Sequence, residues 1–271
     1  MTDTGKDRTL KTPAGKRTSM KIMISGLYGH MGRILYDMIQ EKADLFTVSC
    51  GVSLDRENDL PVPCYQNFAD AENAADLPET DLIIDFSHHV CTKELTEFAV
   101  SHRLPLVLAT TGQTEEELAM IRKAAESIPL FFASNYSLGI AILTELAKKT
   151  AALMPDAEIE IVEKHHDRKI DAPSGTALSI ASALQEVRTD SELVLGRNGQ
   201  GKRKPSDIGL HAIRMGNIVG EHEVIIGTQN QTITLKHEAH SRALFAEGAL
   251  TAAAWLINQP AGLYGMKEML N

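Results

Sequence analysis

Two histidines, a lysine and the start of a helix lie within one short run: Glu163, Lys164, His165, His166, Asp167, Arg168, Lys169, Ile170, Asp171, Ala172, Pro173, Ser174, Gly175, Thr176. Imidazoles titrate near neutrality, so either His165 or His166 suits a general acid. Lys169 adds a full positive charge and a second source of protons. Pro173 restrains the chain, and Ser174 and Thr176 are of the type that caps a helix through a side-chain oxygen. The free N–H groups at Gly175 and Thr176 then form an anion site suited to a carboxylate. The chemistry predicted is proton delivery beside a bound carboxylate. No metal site is predicted, because the paired histidines lack a third ligand at a metal-binding spacing. His88-His89 and His237 with His240 read as loop or edge residues.

A second constellation lies near the start of the chain. Gly26, Leu27, Tyr28, Gly29, His30, Met31 and Gly32 follow an apolar strand and open a helical pattern. A dinucleotide pyrophosphate needs a tight turn, a close backbone approach and a helix N-terminus aimed at it. Gly26, Gly29 and Gly32 meet those needs, though spaced G-x-x-G-x-x-G. An acid roughly twenty residues on should accept hydrogen bonds from the adenosine ribose. Asp55 stands there, and Arg56 beside it suits a 2′-phosphate.

These residues need elements to hold them. Strands are predicted at Lys21 to Ser25, Leu45 to Val52, Asp81 to Phe86, Leu106 to Ala109 and Leu130 to Phe132. Helical patterns lie between them, and Thr114 caps one whose first turn holds Glu115, Glu116 and Glu117. Continuous apolar strands alternating with helices argue for an α/β fold with a parallel sheet covered on both faces. Its strands end at Thr110-Thr111-Gly112 and at Ser134-Asn135-Tyr136, on the edge where such sheets bind ligands. After Asn135 the texture changes. A helix spans Leu138 to Leu153, Glu158 to Glu163 alternates as a half-buried strand, and Ser174 starts a helix to Val187. Gly196 to Ser206 reads as a mobile basic loop. Strand-like runs follow at Gly209 to Arg214, Glu221 to Ile226 and Gln231 to His237, giving an antiparallel-looking second half. An Ala-rich helix from Arg242 to Leu256 should pack back on the first.

Composition narrows the classes. The 271 residues are 43% hydrophobic and 23% charged with a net charge of -9, an ordinary globular balance that argues against a nucleic-acid binder. Lys202, Arg203 and Lys204 form only a short basic loop without aromatics for base stacking. No apolar run reaches the roughly 18 residues of a membrane span. Cys50, Cys64 and Cys91 show no CxxC spacing and fit a reducing cytoplasm. Residues 1–19 read as a disordered polar tail.

The run from Glu163 to Ala177 resembles the signature of the 4-hydroxy-tetrahydrodipicolinate reductase family, formerly dihydrodipicolinate reductase, of lysine and diaminopimelate synthesis. The glycine turn, Asp85-Phe86-Ser87, Ala109-Thr110-Thr111-Gly112, Ala133-Ser134-Asn135-Tyr136, Val219-Gly220-Glu221-His222, Arg242 and Phe245 fall in the family's order from Met20 on. The chain departs at His89, where relatives often have Pro, at Asp55 (often Glu) and at Ala109 (often Gly). The resemblance implies a Rossmann-type doubly wound parallel sheet at residues 20–136, with the segment 243–271 packed on it. It implies a C-terminal α+β domain with a mixed or antiparallel sheet at residues 137–242, binding a dicarboxylate substrate and forming a homotetramer. It implies hydride transfer from NADH or NADPH to ring C4 with loss of water. By motif, His165 is the acid and Lys169 a second proton donor, with His166, Gly175 and Thr176 as substrate contacts. Gly26 to Gly32, Asp55, Arg56, Ala109, Thr110, Thr111, and Ala133 to Tyr136 are cofactor contacts. Other dinucleotide enzymes, such as amino-acid dehydrogenases, should lack the His165 to Thr176 run. A non-catalytic dinucleotide sensor would have no need of His165 and Lys169 together.

Overall fold

The computed structural model describes residues 19–55 and 59–270. The expected disordered tail lies outside these residues except for Ser19, whose hydroxyl meets Thr47 Oγ1 at 2.5 Å. Arg56 lies outside them as well.

The first half builds strands β1 (Met20–Ser25), β2 (Phe46–Val52), β3 (Cys64–Tyr65), β4 (Leu82–Asp85), β5 (Leu106–Leu108) and β6 (Pro129–Phe132). Between them run helices α1 (His30–Glu41), α2 (Phe68–Glu72), α3 (Thr92–Ser101) and α4 (Glu115–Ala125). All pairings are parallel, in the order β3-β2-β1-β4-β5-β6, which is the doubly wound arrangement. Ile22, Met23 and Ile24 are fully buried on successive positions, because β1 has a core on each face. Ile22 and Ile24 join Leu35 and Ile39 of α1 on one side, while Met23 joins Leu95, Phe98 and Ile121 of α3 and α4 on the other. The apolar runs were legible for this reason: two-sided burial removes the polar alternation.

The second half adds α5 (Leu138–Leu153), β7 (Glu158–His165), α6 (Gly175–Val187), β8 (Glu192–Leu195), β9 (Asp207–Arg214), β10 (Gly220–Gly227) and β11 (Thr232–Ala239). Its sheet order is β11-β10-β7-β9-β8. The antiparallel-looking half is in fact mixed: β10 is antiparallel to both neighbours, but β7, β9 and β8 run parallel. The reason is that α6 makes a crossover from β7 to β8, a strand the sequence pattern does not reveal. On β7, Ile159 and Ile161 point into a core with Leu143 and Ala147 of α5 and Ile180 of α6. The basic loop expected at Gly196 to Ser206 is tied to the sheet at two points, Arg197 and Arg203. Arg197 and Arg203 both reach Glu160 Oε1, at 3.3 and 3.2 Å, and Arg197 also reaches Asp207 at 3.1 Å.

Helix α7 (Ala243–Leu256) returns to the first sheet. Ala249, Leu250 and Ala253 share the core of α1 and β1. At Gly248 a Cβ would lie 1.7 Å from the Tyr136 carbonyl, so the close docking of α7 on the end of β6 requires glycine there. Strand β12 (Gly262–Tyr264) then pairs with β6 as a seventh parallel strand, and α8 (Met266–Leu270) follows. Among the described residues no helix is long and apolar enough to cross a membrane.

Candidate active site

The carboxyl edge of the first sheet and the end of β7 face each other across a cleft of ≈ 1010 Å³. From the first half it is bordered by Met31, Thr111 and Ala133 to Asn135, and from the second by His165, His166, Lys169, Ser174 to Thr176, Gly220 and His222. Asn135 Nδ2 donates to Thr176 Oγ1 at 3.0 Å and so ties the two walls together.

The glycine turn has the shape a dinucleotide requires. Gly26 sits at φ 83°, and a Cβ there would come within 2.7 Å of the Phe86 carbonyl. At Gly32 a Cβ would lie 2.0 Å from the Gly26 carbonyl, which brings α1 against the turn. Gly29 is the N-cap of α1, with no side chain capping the helix and no acid in its first turn. Its N-terminal amides are thus left to an anion. These are observations a bound pyrophosphate would explain, and the residues present fit the group.

The other expected cofactor residues divide. Tyr28 stacks its ring on the Arg33 guanidinium at 4.6 Å. Gly29 and His30 are exposed beside it, as is Asp55 just beyond β2, but none of these borders the cleft. Ala109 is half-buried, and Thr110 gives its hydroxyl to the buried Asp85 at 2.5 Å. Leu27 is fully buried in the core. Tyr136 likewise turns inward and donates to the carbonyls of Leu108 and Phe131 at 2.9 and 3.1 Å. The Leu27 and Tyr136 side chains thus pack in the core of the first half, which leaves their backbone atoms for any contact with cofactor.

In the second half, Ser174 caps α6 by accepting from the Ala177 N–H at 3.2 Å. Thr176, freed from capping, makes the bond to Asn135. Lys169 Nζ lies 2.7 Å from the Asp171 carboxylate. Lys169, with the Gly175 N–H contributing, holds the Asp171 carboxyl below its ordinary range. A carboxylate of the chain thus already sits on Lys169, one of the expected anion donors.

The two histidines differ in what surrounds them. His165 Nδ1 lies 2.6 Å from Oε2 of the buried Glu163. Among the described residues His166 has no carboxylate in hydrogen-bond contact, and its Nδ1 is buried without a hydrogen bond. Burial, followed by the nearby Arg168, His165 and Arg242, lowers its pKa. Spacing alone leaves the choice of acid open, whereas this geometry favours His165.

Sequence reasoning missed Arg214, His222 and any role for Glu163 itself. Burial would raise the Glu163 pKa, but Arg214, His165 and the Ser174 N–H outweigh it and hold the carboxyl below its ordinary value. His222 contacts Ser174 Oγ at 3.1 Å and is only 4% exposed. Burial, with His165 adding to it, pushes its pKa down to about 4. Unfolding restores an ordinary imidazole, so between about pH 4 and 6.5 the unfolded chain binds the extra proton. Stability is then full above pH 6.5 and falls with pH, by on the order of 3 kcal/mol across that window. Denaturant titrations at several pH values should show this slope, and His222→Gln should flatten it.

A doubly wound sheet with a glycine turn, facing a second lobe that carries a carboxylate-paired histidine, defines the class of a nicotinamide-dependent oxidoreductase. Residues 20–136 match the family model "Dihydrodipicolinate reductase, N-terminus" and 139–270 match "Dihydrodipicolinate reductase, C-terminus". The chain is 42% identical over 255 residues to the 4-hydroxy-tetrahydrodipicolinate reductase of Caldanaerobacter subterraneus subsp. tengcongensis, covering 93% of this chain and 98% of that one. It is 40% identical to that of Clostridium tetani, covering 93% and 97%. A solved dihydrodipicolinate reductase from Paenisporosarcina sp. TG-14 shares the fold, with a TM-score of 0.76 at 24% identity over 93% of this chain and 99% of that one. The chain belongs to the dihydrodipicolinate reductase family.

Proposed function

We propose that this chain reduces 4-hydroxy-tetrahydrodipicolinate to tetrahydrodipicolinate in diaminopimelate and lysine synthesis. The observation that carries the reading is the carboxylate-paired His165 beside Lys169 and the α6 N-terminus, across one cleft from the carboxyl edge of a sheet with a glycine cradle. Residues 20–136 with 243–271 serve the cofactor, and residues 137–242 serve substrate and assembly.

Gly26 to Gly32 would hold a nicotinamide dinucleotide, which when bound would supply a hydride for ring C4. Over the whole reaction the ring loses its 4-hydroxyl as water and gains a hydride and a proton, balanced by oxidation of the reduced dinucleotide. Lys169 and the amides of Gly175 and Thr176 hold one substrate carboxylate after Asp171 gives way. His166 orients the ring. His165 directs Nε2 into the cleft and delivers the proton where negative charge builds on the ring. Thr111 and Ala133 to Asn135 exclude water from the hydride path. Asp55 accepts the adenosine ribose hydroxyls and Arg56 meets a 2′-phosphate, so both NADH and NADPH serve.

The chain works in the cytoplasm as a homotetramer. On the face of the second sheet opposite its core, Val162, Lys164, Glu223 and Ile225 stand half-exposed. Sedimentation should give four times the monomer mass.

The test is oxidation of reduced nicotinamide by the purified chain, with substrate made in place by the preceding synthase. Oxidation should depend on that substrate and proceed with NADH and with NADPH. Dinucleotide binding without substrate-dependent oxidation would mean a sensor instead.

A further inference from the structure

Glu163 lies two residues before His165 on β7, so both side chains leave the strand on the same face. The Glu163 carboxylate has no exposure and is held on every side. At Oε1 it accepts from Arg214 Nη2 at 2.7 Å and from the Ser174 N–H at 2.9 Å. At Oε2 it meets Arg214 Nη1 at 2.8 Å and His165 Nδ1 at 2.6 Å. Both Arg214 nitrogens and the Ser174 amide can only donate, so the carboxylate is ionised and His165 Nδ1 must donate to it. Nε2 is then the free nitrogen. It faces Gly220 at the cleft wall, where a Cβ would lie 3.1 Å from it.

The other groups around His165 come from several elements. Arg214 reaches in from β9, where it pairs with His165 in register. His222 of β10 stands edge-on at 5.3 Å between ring centroids and stays neutral at working pH. His166 and Lys169, from the loop after β7, border the same cleft, with Asp171 on Lys169. Arg242 from the start of α7, Lys267 of α8 and Glu145 of α5 also border the cleft. Among these groups Glu163 is the only anion hydrogen-bonded to the His165 ring.

We propose that Glu163 is a positioning residue of the reaction: it fixes His165 with Nδ1 protonated and Nε2 toward the substrate, and Arg214 sets how much of the carboxylate's charge the imidazole feels. The proposal rests on His165 being the proton donor. The triad is cross-strand in origin. Glu163 and His165 come from one strand, Arg214 from the next, and the Ser174 amide from the N-cap of the helix that binds the substrate carboxylate. One buried group therefore joins the proton donor to the anion site. A purely structural Glu163, which would only cap α6 and clamp β7 to β9, makes different predictions.

Two variants and one spectrum separate the roles. Glu163→Gln keeps shape and removes charge. It should lower kcat by about 10²-fold with little change in KM for substrate or cofactor. The pH at which kcat is halved on the alkaline side should move down by roughly 1–3 units. Arg214→Gln removes the opposing cation and should move that midpoint up. Shifts in the same direction, or no shift in Glu163→Gln while the wild type turns over, would overturn the proposal, because loss of packing has no reason to move the two in opposite senses. Should Arg214→Gln fail to fold, Glu163→Gln and the spectrum still decide. Nitrogen-15 spectra of the histidine rings need no substrate. In its neutral form the wild-type His165 ring should be a single tautomer with Nδ1 protonated, and in Glu163→Gln a mixture. A mixed tautomer in the wild type would sink the proposal whatever the rates. An inactive wild type with a single Nδ1–H tautomer would instead count against the proposed function alone.

Discussion

Replacing His165 with Gln is expected to lower kcat by about 10²–10⁴-fold, while the dissociation constant for the reduced dinucleotide stays within a few fold. That loss corresponds to about 2.7–5.4 kcal/mol on the barrier. Glutamine nearly matches the reach of imidazole and keeps a polar tip, so the cleft stays filled and wetted as before. What it lacks is a proton to give up near neutral pH. The split between kcat and cofactor affinity follows from topology. His165 ends β7 in the second half of the chain, whereas Gly26 to Gly32 belong to the first.

The pH dependence of that variant is a second reading of the same chemistry. A donor must be protonated to act, so wild-type kcat should fall as pH rises past the donor's titration. In His165→Gln the residual rate should lose this limb. If turnover survives within a few fold, the acid is another group. His166 is a poor substitute, because burial and the cations Arg168 and Arg242 favour its neutral form. Lys169 would then be the candidate, and Lys169→Met should remove the limb that His165→Gln failed to remove.

Local requirements made part of this site legible before the structure. Gly26 needs a positive φ and Gly32 a bare Cα, and both needs are written at the position itself. Ser174 and Thr114 cap their helices as read, because a cap is a contact over three residues. The alternation from Glu158 likewise marked β7 as a half-buried strand, although the strand runs on to His165 and turns Glu163 to the buried face. Register is different in kind. Arg214 lies opposite His165, and His222 opposite Glu163, only because β9 and β10 pair with β7 in that alignment. No local pattern records such an alignment, so half of the proton-donor cluster stayed hidden. Short elements were lost for a related reason. Strand β12 has three residues and owes its existence to pairing with β6, not to its own sequence. Tyr136 adds a packing role that its place near the carboxyl edge of β6 did not reveal, because its phenol donates to two carbonyls in the core. His89 also departs from the family pattern without disorder. Its ring meets both Glu117 oxygens at 3.1 and 3.0 Å, tying the turn after β4 to the capping box of α4.

Gly32→Ala should give the opposite kinetic signature to His165→Gln. The added methyl would lie 2.0 Å from the Gly26 carbonyl oxygen and 2.7 Å from that of Leu27. Both are backbone atoms in a turn fixed from two sides, since Gly29 N–H donates to the Gly26 carbonyl at 3.0 Å and Gly26 N–H to that of Val52 at 2.8 Å. The turn has little room to retreat, so α1 must lift from it. Overpacking of this sort costs about 1–3 kcal/mol in stability. It also moves the helix N-terminus proposed as the pyrophosphate cradle, and a mispositioned cradle loses its directed amides. The dissociation constant for the dinucleotide should rise by more than about tenfold, the equivalent of ~1.4 kcal/mol. At saturating cofactor and substrate, kcat should fall much less, because His165 and Glu163 are untouched. Titration calorimetry and initial rates at high dinucleotide would measure the two effects separately. Gly201→Ala, where the structure leaves open space around the site of the methyl, is the control for replacing a glycine as such. A Gly32→Ala protein that binds dinucleotide as tightly as the wild type would show that the turn is a packing device and that the cofactor lies elsewhere. A protein that loses binding while retaining proton delivery at saturation would place the cradle and the acid on separate halves of one cleft.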